Sequence, residues 1–385
     1  MPVQLTYPGV YIEEIPSGVR TITGVATSVA AFVDFFRRGP LNKAVQIFNF
    51  GDFERVFGGL DKQSEASYAI QQFFLNGGTE AWVVRALSGG FANAAVVIND
   101  KITAGALALQ VAASSPGAWG NTLRLRADSL TPQSGEFNLL ILEYPPGGTV
   151  PLRQEVFRNL SMDATKPNFV TKVVNDPNTG SKLVQVELAG TNAPLPTGTL
   201  SDSIGSDTLT LTGATPTVKV TLDGQSPNVQ LSPVALLPNQ PLAKIAALLE
   251  AAIRTALPSR PAFAGATVTV VGQQFYVQAG AGFPTEQVVF DNATGDTTAQ
   301  EMKLRAVDGA SFNVQEYTLG RVAAIAGTAQ VGGTQGADGT APDATALIGN
   351  LVNKTGIYAL EEVDLFNLLC LPRTAQVSGT LPDLT

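Results

Sequence analysis

The side chains able to do chemistry are sparse in this sequence, and they are badly spaced for it. No histidine occurs in 385 residues. The commonest general base and metal ligand is therefore missing. Neither a Cys/His zinc site nor a Ser-His-Asp or Cys-His arrangement can be built. Carboxylates remain, but the two that stand in pairs, Glu13-Glu14 and Glu361-Glu362, are immediate neighbours. Adjacent residues on a strand point to opposite faces, so they make a poor acid/base pair and read as solvated charges. The single cysteine, Cys370 in "FNLLCLP", excludes an internal disulfide framework and reads as a small core hydrophobe. The glycine-rich loop 332–345 lacks the lysine of a phosphate-binding loop and reads as a turn followed by a helix cap. Trp119 in "GAWGN" reads as a turn-packing aromatic, with ligand stacking as the alternative. The Arg37-Arg38 pair is either a solvated turn or a contact for an acidic partner. No catalytic residue, metal or cofactor is expected.

Composition points the same way. The hydrophobic fraction is 44% and the charged fraction 15%, which supports real cores and argues against disorder. A net charge of −8 gives no broad basic footprint for nucleic acid. Met1–Gly9 has no basic start followed by an apolar run, so no signal peptide is expected. No apolar stretch reaches the roughly 18 residues of a membrane-spanning helix. The three N-x-S/T matches at 159–161, 292–294 and 353–355 then read as chance. A cytoplasmic protein without membrane insertion is the expectation.

The elements fall into blocks. "VATSVAAFVDF" (25–35) reads as a buried strand, "VQIFNF" (45–50) as a second, and "AWVVRAL" (81–87) as a third. Between them, "GDFERVFGG" (51–59) reads as a short helix, and a second helix begins at the cap Ser64 and carries Ala66, Ile70, Phe73 and Phe74 on one side. Strand, helix and strand with tight loops suggest an α/β unit with a parallel sheet. After about residue 95 the texture becomes strand-rich, through "ALALQVAAS", "NTLRLRA", "FNLLILEY", "RQEVFRNL" and "KLVQVEL". Residues 190–206 read as a linker. A third block, 207–305, has strands around an amphipathic helix at 241–257 with Leu242, Ile245, Leu248, Leu249 and Ile253 on one face. "QVVFDN" and "EMKLRAV" read as its closing strands. A helix is expected from Asp343 to about Asn353. "VDLFNLLCLP" (363–372) matches the first block in its buried-strand character. The simplest organisation is one α/β core interrupted by two insertions.

These segments, in this order, resemble the tail sheath proteins of contractile phage tails and related contractile injection systems. "YPGVYIEEIPSG" (7–18) is similar to that family's N-terminal arm. "GP" at 39–40, "FGDFERVFGG" (50–59), "AIQQFFLNGG" (69–78) and "AWVVRAL" resemble the opening of its core. "SPGAWGNTLRLRA" (115–127) and "EVFRNLSMD" (155–163) resemble its first inserted domain. "GGTQGADGT" (332–340) and "GIYALEEVDLFNLLCLP" (356–372) resemble its return to the core. The resemblance implies an α/β core with a discontinuous, mixed or parallel sheet, two inserted β-rich or α+β domains, and an extended N-terminal arm. The expected division is an arm at 1–20, a core from 21–95 plus 320–385, a β-rich domain at 96–195, and an α+β domain at 207–305. Sheath proteins usually continue well past the "LLCLP" strand, so the family's C-terminal part is expected to be lacking here.

The function this implies is structural. Subunits stack as hexameric rings around an inner tube and contract to drive the tube through a target envelope. Implied partners are further copies of the chain, the inner tube protein, and baseplate and terminator proteins, with no direct nucleic-acid contact. The implied place is a virion tail or injection particle assembled in the bacterial cytoplasm. In the family, arms add strands to neighbours' sheets, so Tyr7, Val10, Tyr11, Ile12 and Glu13 are the candidate inter-subunit residues. An outward-facing adhesion or decoration module is the alternative, for which Trp119 and Tyr276 are the aromatic candidates.

Overall fold

The computed structural model describes residues 28–375, apart from Ala104, Pro132 and Ser134. The arm candidates Tyr7, Val10, Tyr11, Ile12 and Glu13 lie outside the described residues. The fold is mixed α/β, with several small sheets and few helices.

The sheet that begins and ends the described chain is built on Ala30–Asp34. All five residues are buried, because layers cover both faces. Ala30 and Phe32 face Phe53, Phe57 and Ile70, whereas Ala31 and Val33 face Leu347, Ala359 and Leu360. This two-sided burial explains a continuous apolar run rather than an alternating one. Ala81–Arg85 lies parallel on one side, with Ala30 opposite Ala81 and Asp34 opposite Arg85. Leu368–Cys370 lies parallel on the other side, with Ala30 opposite Leu368. Ala44–Ile47 completes the sheet, antiparallel to Ala81–Arg85. Strands 338 residues apart in sequence thus share one ladder, beginning at the Ala30–Leu368 pair.

Two capped helices close the first face. Asn49 accepts from the Asp52 N–H at 2.8 Å and starts Phe50–Phe57, which stops at Gly58 with φ +98°. Ser64 accepts from the Ser67 N–H at 3.3 Å and starts Glu65–Leu75. Phe36, Phe53 and Phe57 pack with ring centroids 5.2–5.6 Å apart.

The chain leaves this layer along Ser88–Ala92 and comes back beside it along Ala337–Thr340. These two run antiparallel, with Ala92 opposite Ala337. Between them lie two further cores. The first gathers Val111, Leu125, Ile141 and Val186 from strands at 95–188, and takes Val314, Tyr317 and Leu319 from much later in the chain. Residues 329–334 also run beside 95–99, where the Ala95, Val97 and Asn99 N–H groups donate to Thr334, Gly332 and Ala329 carbonyls. The second core surrounds the helix Leu242–Ala256, whose Ile245, Leu249 and Ile253 are fully buried.

Four elements differ from the sequence reading. Within 190–206, Thr199–Leu200 is not linker but a strand between Gln274–Gln278 and Ser311–Phe312. "EMKLRAV" is not a strand: Asp296 accepts from the Thr298 N–H and starts the turn Thr298–Glu301, leaving Met302 and Leu304 buried. The helix after Asp343 is only Ala344–Ile348, ended at Gly349 with φ +74°. The last strand is only Leu368–Cys370, and it is largely exposed rather than buried.

Truncating Ile245 or Leu249 to alanine should cost about 2–5 kcal/mol, because each leaves a cavity under a fixed helix. Urea denaturation of the two variants measures this directly. A change below about 1 kcal/mol at both sites would mean the helix packs elsewhere.

Candidate assembly surface

Arg85 closes the strand Ala81–Arg85 and is fully buried. Its guanidinium meets backbone carbonyls rather than a carboxylate. Nε donates to Phe36 O at 2.6 Å, Nη2 to Arg37 O at 3.1 Å, and Nη1 to Gly39 O at 3.0 Å and Pro116 O at 2.8 Å. Burial pushes its pKa down to about 10, and the nearby Asp338 opposes that shift. Gly39 adopts φ +100°, and a side chain there would strike the Phe57 ring at 2.7 Å. Gly117 adopts φ +142°, and its Cβ would lie 2.5 Å from Arg37 O.

Three sequence motifs therefore meet at one point. Turn 37–40 and turn 115–121 share Arg85. The glycine-rich 332–345 stretch joins them: Asp338 accepts from the Ala118 N–H at 2.7 Å, and Asn121 exchanges two hydrogen bonds with the Gly336 backbone at 2.8 and 2.9 Å. Its glycines serve close approach, since a Cβ at Gly333 would lie 2.0 Å from Ala95 O. Asp343 caps the short helix that follows, accepting from the Ala346 N–H at 2.8 Å. The turn-and-cap reading of this loop describes it.

A cleft of about 480 Å³ opens beside this junction, between the turn and helix at 38–56 and the segments at 114–119, 153 and 175–185. Arg38, Lys43, Arg55, Arg153 and Lys182 line it, and Asp176 is its one carboxylate. Glu143 lies behind, accepting from Arg38 at 2.8 Å and from Arg153 at 2.7 Å. Arg38 also sits 5.9 Å over the Trp119 ring. The two arginines of the Arg37-Arg38 pair differ: Arg37 stays half exposed, as in a solvated turn, and Arg38 does not. Arg37 is bound to Asp61, and Arg38 is mostly buried against Glu143. The adhesion candidates fare similarly. Tyr276 is 4% exposed, and Trp119 is half-buried against the cluster that holds Val111, Leu125 and Ile141.

The other notable surface is the edge at Leu368–Cys370. Its inner side pairs with Ala30–Phe32, and no strand among the described residues pairs with its outer side. Leu365, Leu368 and Leu369 are 39%, 50% and 45% exposed. Cys370 is half-buried, and burial pushes its thiol pKa up. The edge is tied down just beyond its end. Arg373 Nε donates to the fully buried Asp34 carboxylate at 3.1 Å, and Asp34 also accepts from the Phe35 and Ala66 N–H groups. Burial nevertheless holds the Asp34 pKa above the usual carboxylate range. Glu361 and Glu362 close a 3₁₀ turn at Gly356–Glu362 and are exposed, with Glu362 paired to Lys354 at 3.0 Å. No helix among the described residues is long and apolar enough to cross a membrane.

No family model and no curated protein matches the chain. Several solved structures align with part of it, two of them as follows. One is a sheath tail protein from Listeria innocua, at 15% identity and a TM-score of 0.30, covering 45% of this chain and 33% of that one. The other is a sheath tail protein from Desulfitobacterium hafniense, at 16% identity and a TM-score of 0.29, covering 49% and 37%. The chain thus spans about a third of either protein's length.

Replacing Arg85 with leucine strands four buried carbonyls and should destabilise by about 3 kcal/mol or more. Replacing Arg373 with methionine leaves Asp34 buried and unpaired, which should cost about 3–5 kcal/mol at neutral pH. The pH dependence has a definite sign. A carboxyl with a raised folded pKa stabilises the fold below its unfolded pKa, and loses that contribution as pH rises through the folded value. The gap between parent and Arg373→Met should therefore widen from acid to neutral pH. Denaturation curves across that range check it, and a constant gap would contradict the ion pair.

Proposed function

We propose that this chain is a structural subunit of a contractile tail sheath, polymerising as stacked hexameric rings around an inner tube and contracting to drive that tube through an envelope. The observation that supports it is the strand Leu368–Cys370, whose outer side is paired by no strand among the described residues and which carries exposed leucines. The residues quoted above for the resemblance support the same reading. The donated strand is the arm, in which Tyr7, Val10, Tyr11 and Ile12 supply alternating side chains and Glu13 a rim charge. The core sheet spans the two ends of the chain, so the insertions can project from it without interrupting the ladder. Division into arm (1–20), core (21–95 plus 320–385), β-rich domain (96–195) and α+β domain (207–305) belongs to this proposal. So do the inner tube, baseplate and terminator partners, assembly in the bacterial cytoplasm, and residence in a virion tail or injection particle. Energy for contraction would be stored in subunit interfaces, as in other bistable packings. The chemistry is that of a scaffold rather than an enzyme.

Ile12→Pro removes one backbone donor from the donated ladder. The variant should melt like the parent and yet fail to enter polymers with parent subunits, as read by co-sedimentation. Loss of the folded subunit, or assembly at the parent's level, would refute the arm's role.

A further inference from the structure

The basic cleft and an exposed acidic run stand at opposite ends of the core sheet. At the exit end of Ala30–Asp34, Arg38 follows the strand and Lys43 precedes Ala44–Ile47. At the entry end, Asn367 exchanges two hydrogen bonds with the Val29 backbone, at 2.8 and 3.2 Å. The run Glu361, Glu362, Asp364 leads into that end, and all three carboxylates are exposed. Five strand residues separate the two ends by about 17 Å, at roughly 3.3 Å per residue. Lys43 and Lys182 pair with none of these carboxylates, and Glu362 is held by Lys354 at 3.0 Å, which leaves Glu361 and Asp364 without an ion-pair partner among the described residues. They are placed to meet a translated copy.

We infer that the cleft is a docking site for the Glu361–Asp364 corner of a second copy of this chain, in a head-to-tail contact. This rests on the self-assembly part of the proposed function but not on the N-terminal arm. Charge complementarity carries it. Five cations crowd one cleft in a chain whose net charge is −8. Glu143 occupies Arg38 and Arg153, and Asp52 stands 3.0 Å from Arg55. Lys43 and Lys182 are exposed and join no ion pair among the described residues, since the Lys182 ammonium donates only to the Pro177 and Asn178 carbonyls. They are the cations left to receive a partner. On the opposite side of the contact, Leu365, which lies outside the strand edge and is 39% exposed, stands beside the acidic run and adds apolar area to the charge. A contact between two different patches of one chain is heterologous. It propagates into rings or open helices rather than closing as a dimer.

Charge exchange tests this on the full chain. Variant one carries Lys43→Glu and Lys182→Glu, and variant two carries Glu361→Lys and Asp364→Lys, which leaves the Lys354–Glu362 pair intact. Thermal melting first establishes that both are folded. Each alone should need about tenfold more protein than the parent to assemble, read by light scattering and sedimentation. An equimolar mixture should recover, because each variant's intact patch faces its complement and the two reversed patches also match. Recovery in the mixture supports the head-to-tail contact. If the parent assembles but either variant alone assembles equally well, the inference is overturned while the sheath reading stands. If the mixture stays dispersed, the cleft serves another acidic segment, such as Glu13-Glu14, and the inference is likewise overturned. If the parent forms chains or rings that never become cylinders, the contact survives and the sheath reading fails. A parent that stays monomeric refutes both.

Discussion

The arrangement of the whole chain turns on one buried guanidinium. Arg85 has no side-chain counter-ion in hydrogen-bond contact, so its charge is met by four carbonyl dipoles presented by two turns. A desolvated cation is tolerated only where such acceptors are fixed in advance. That requirement explains why the turns are so constrained in sequence. Gly39 must take a left-handed conformation under the Phe57 ring, and Gly117 must approach the Arg37 carbonyl more closely than any side chain allows. Pro116 and Phe36 come from turns 80 residues apart, and the same side chain holds the two together.

With that joint fixed, the chain's exit and return can run side by side at Ser88–Ala92 and Ala337–Thr340. The core sheet keeps both faces covered although some 240 residues intervene between those strands. What it cannot cover from within the described residues is the outer side of Leu368–Cys370. Three exposed leucines at a tethered edge are costly to leave in water, at about 25 cal/mol per Å². The Asp34–Arg373 pair ties that edge to the buried strand beside it.

Much of the core was legible from local pattern. The apolar run that contains Ala30–Asp34 read as a buried strand, and Gly58, Ser64 and the Gly77-Gly78 pair marked helix bounds within a residue or two, whereas the Asn49 cap was not singled out. The helix 242–256 followed from the spacing of Ile245, Leu249 and Ile253. The errors share a physical cause. "VDLFNLLCLP" has a buried composition, but composition does not say whether a covering layer exists, and here the strand is short and open. Thr199–Leu200 looks like linker because its neighbours are Gly, Pro, Ser and Thr, yet its backbone is paired from both sides by strands more than seventy residues away. Arg37, Arg38 and Trp119 were singled out by type, but their partners Asp61 and Glu143 and the Arg85 junction are products of tertiary contact. The basic cleft draws on segments around 38–56, 114–119, 153 and 175–185, and no single window of sequence shows it. The arm residues, from Tyr7 to Glu13, lie outside the described structure, and their role stays a proposal.

The central claim is that this chain is built to polymerise, with its open edge completed by another copy. Negative-stain electron microscopy of the purified full chain over a range of concentrations tests that most directly. Hollow cylinders of stacked rings are the predicted result. Separate particles of single-subunit size at every concentration would contradict it.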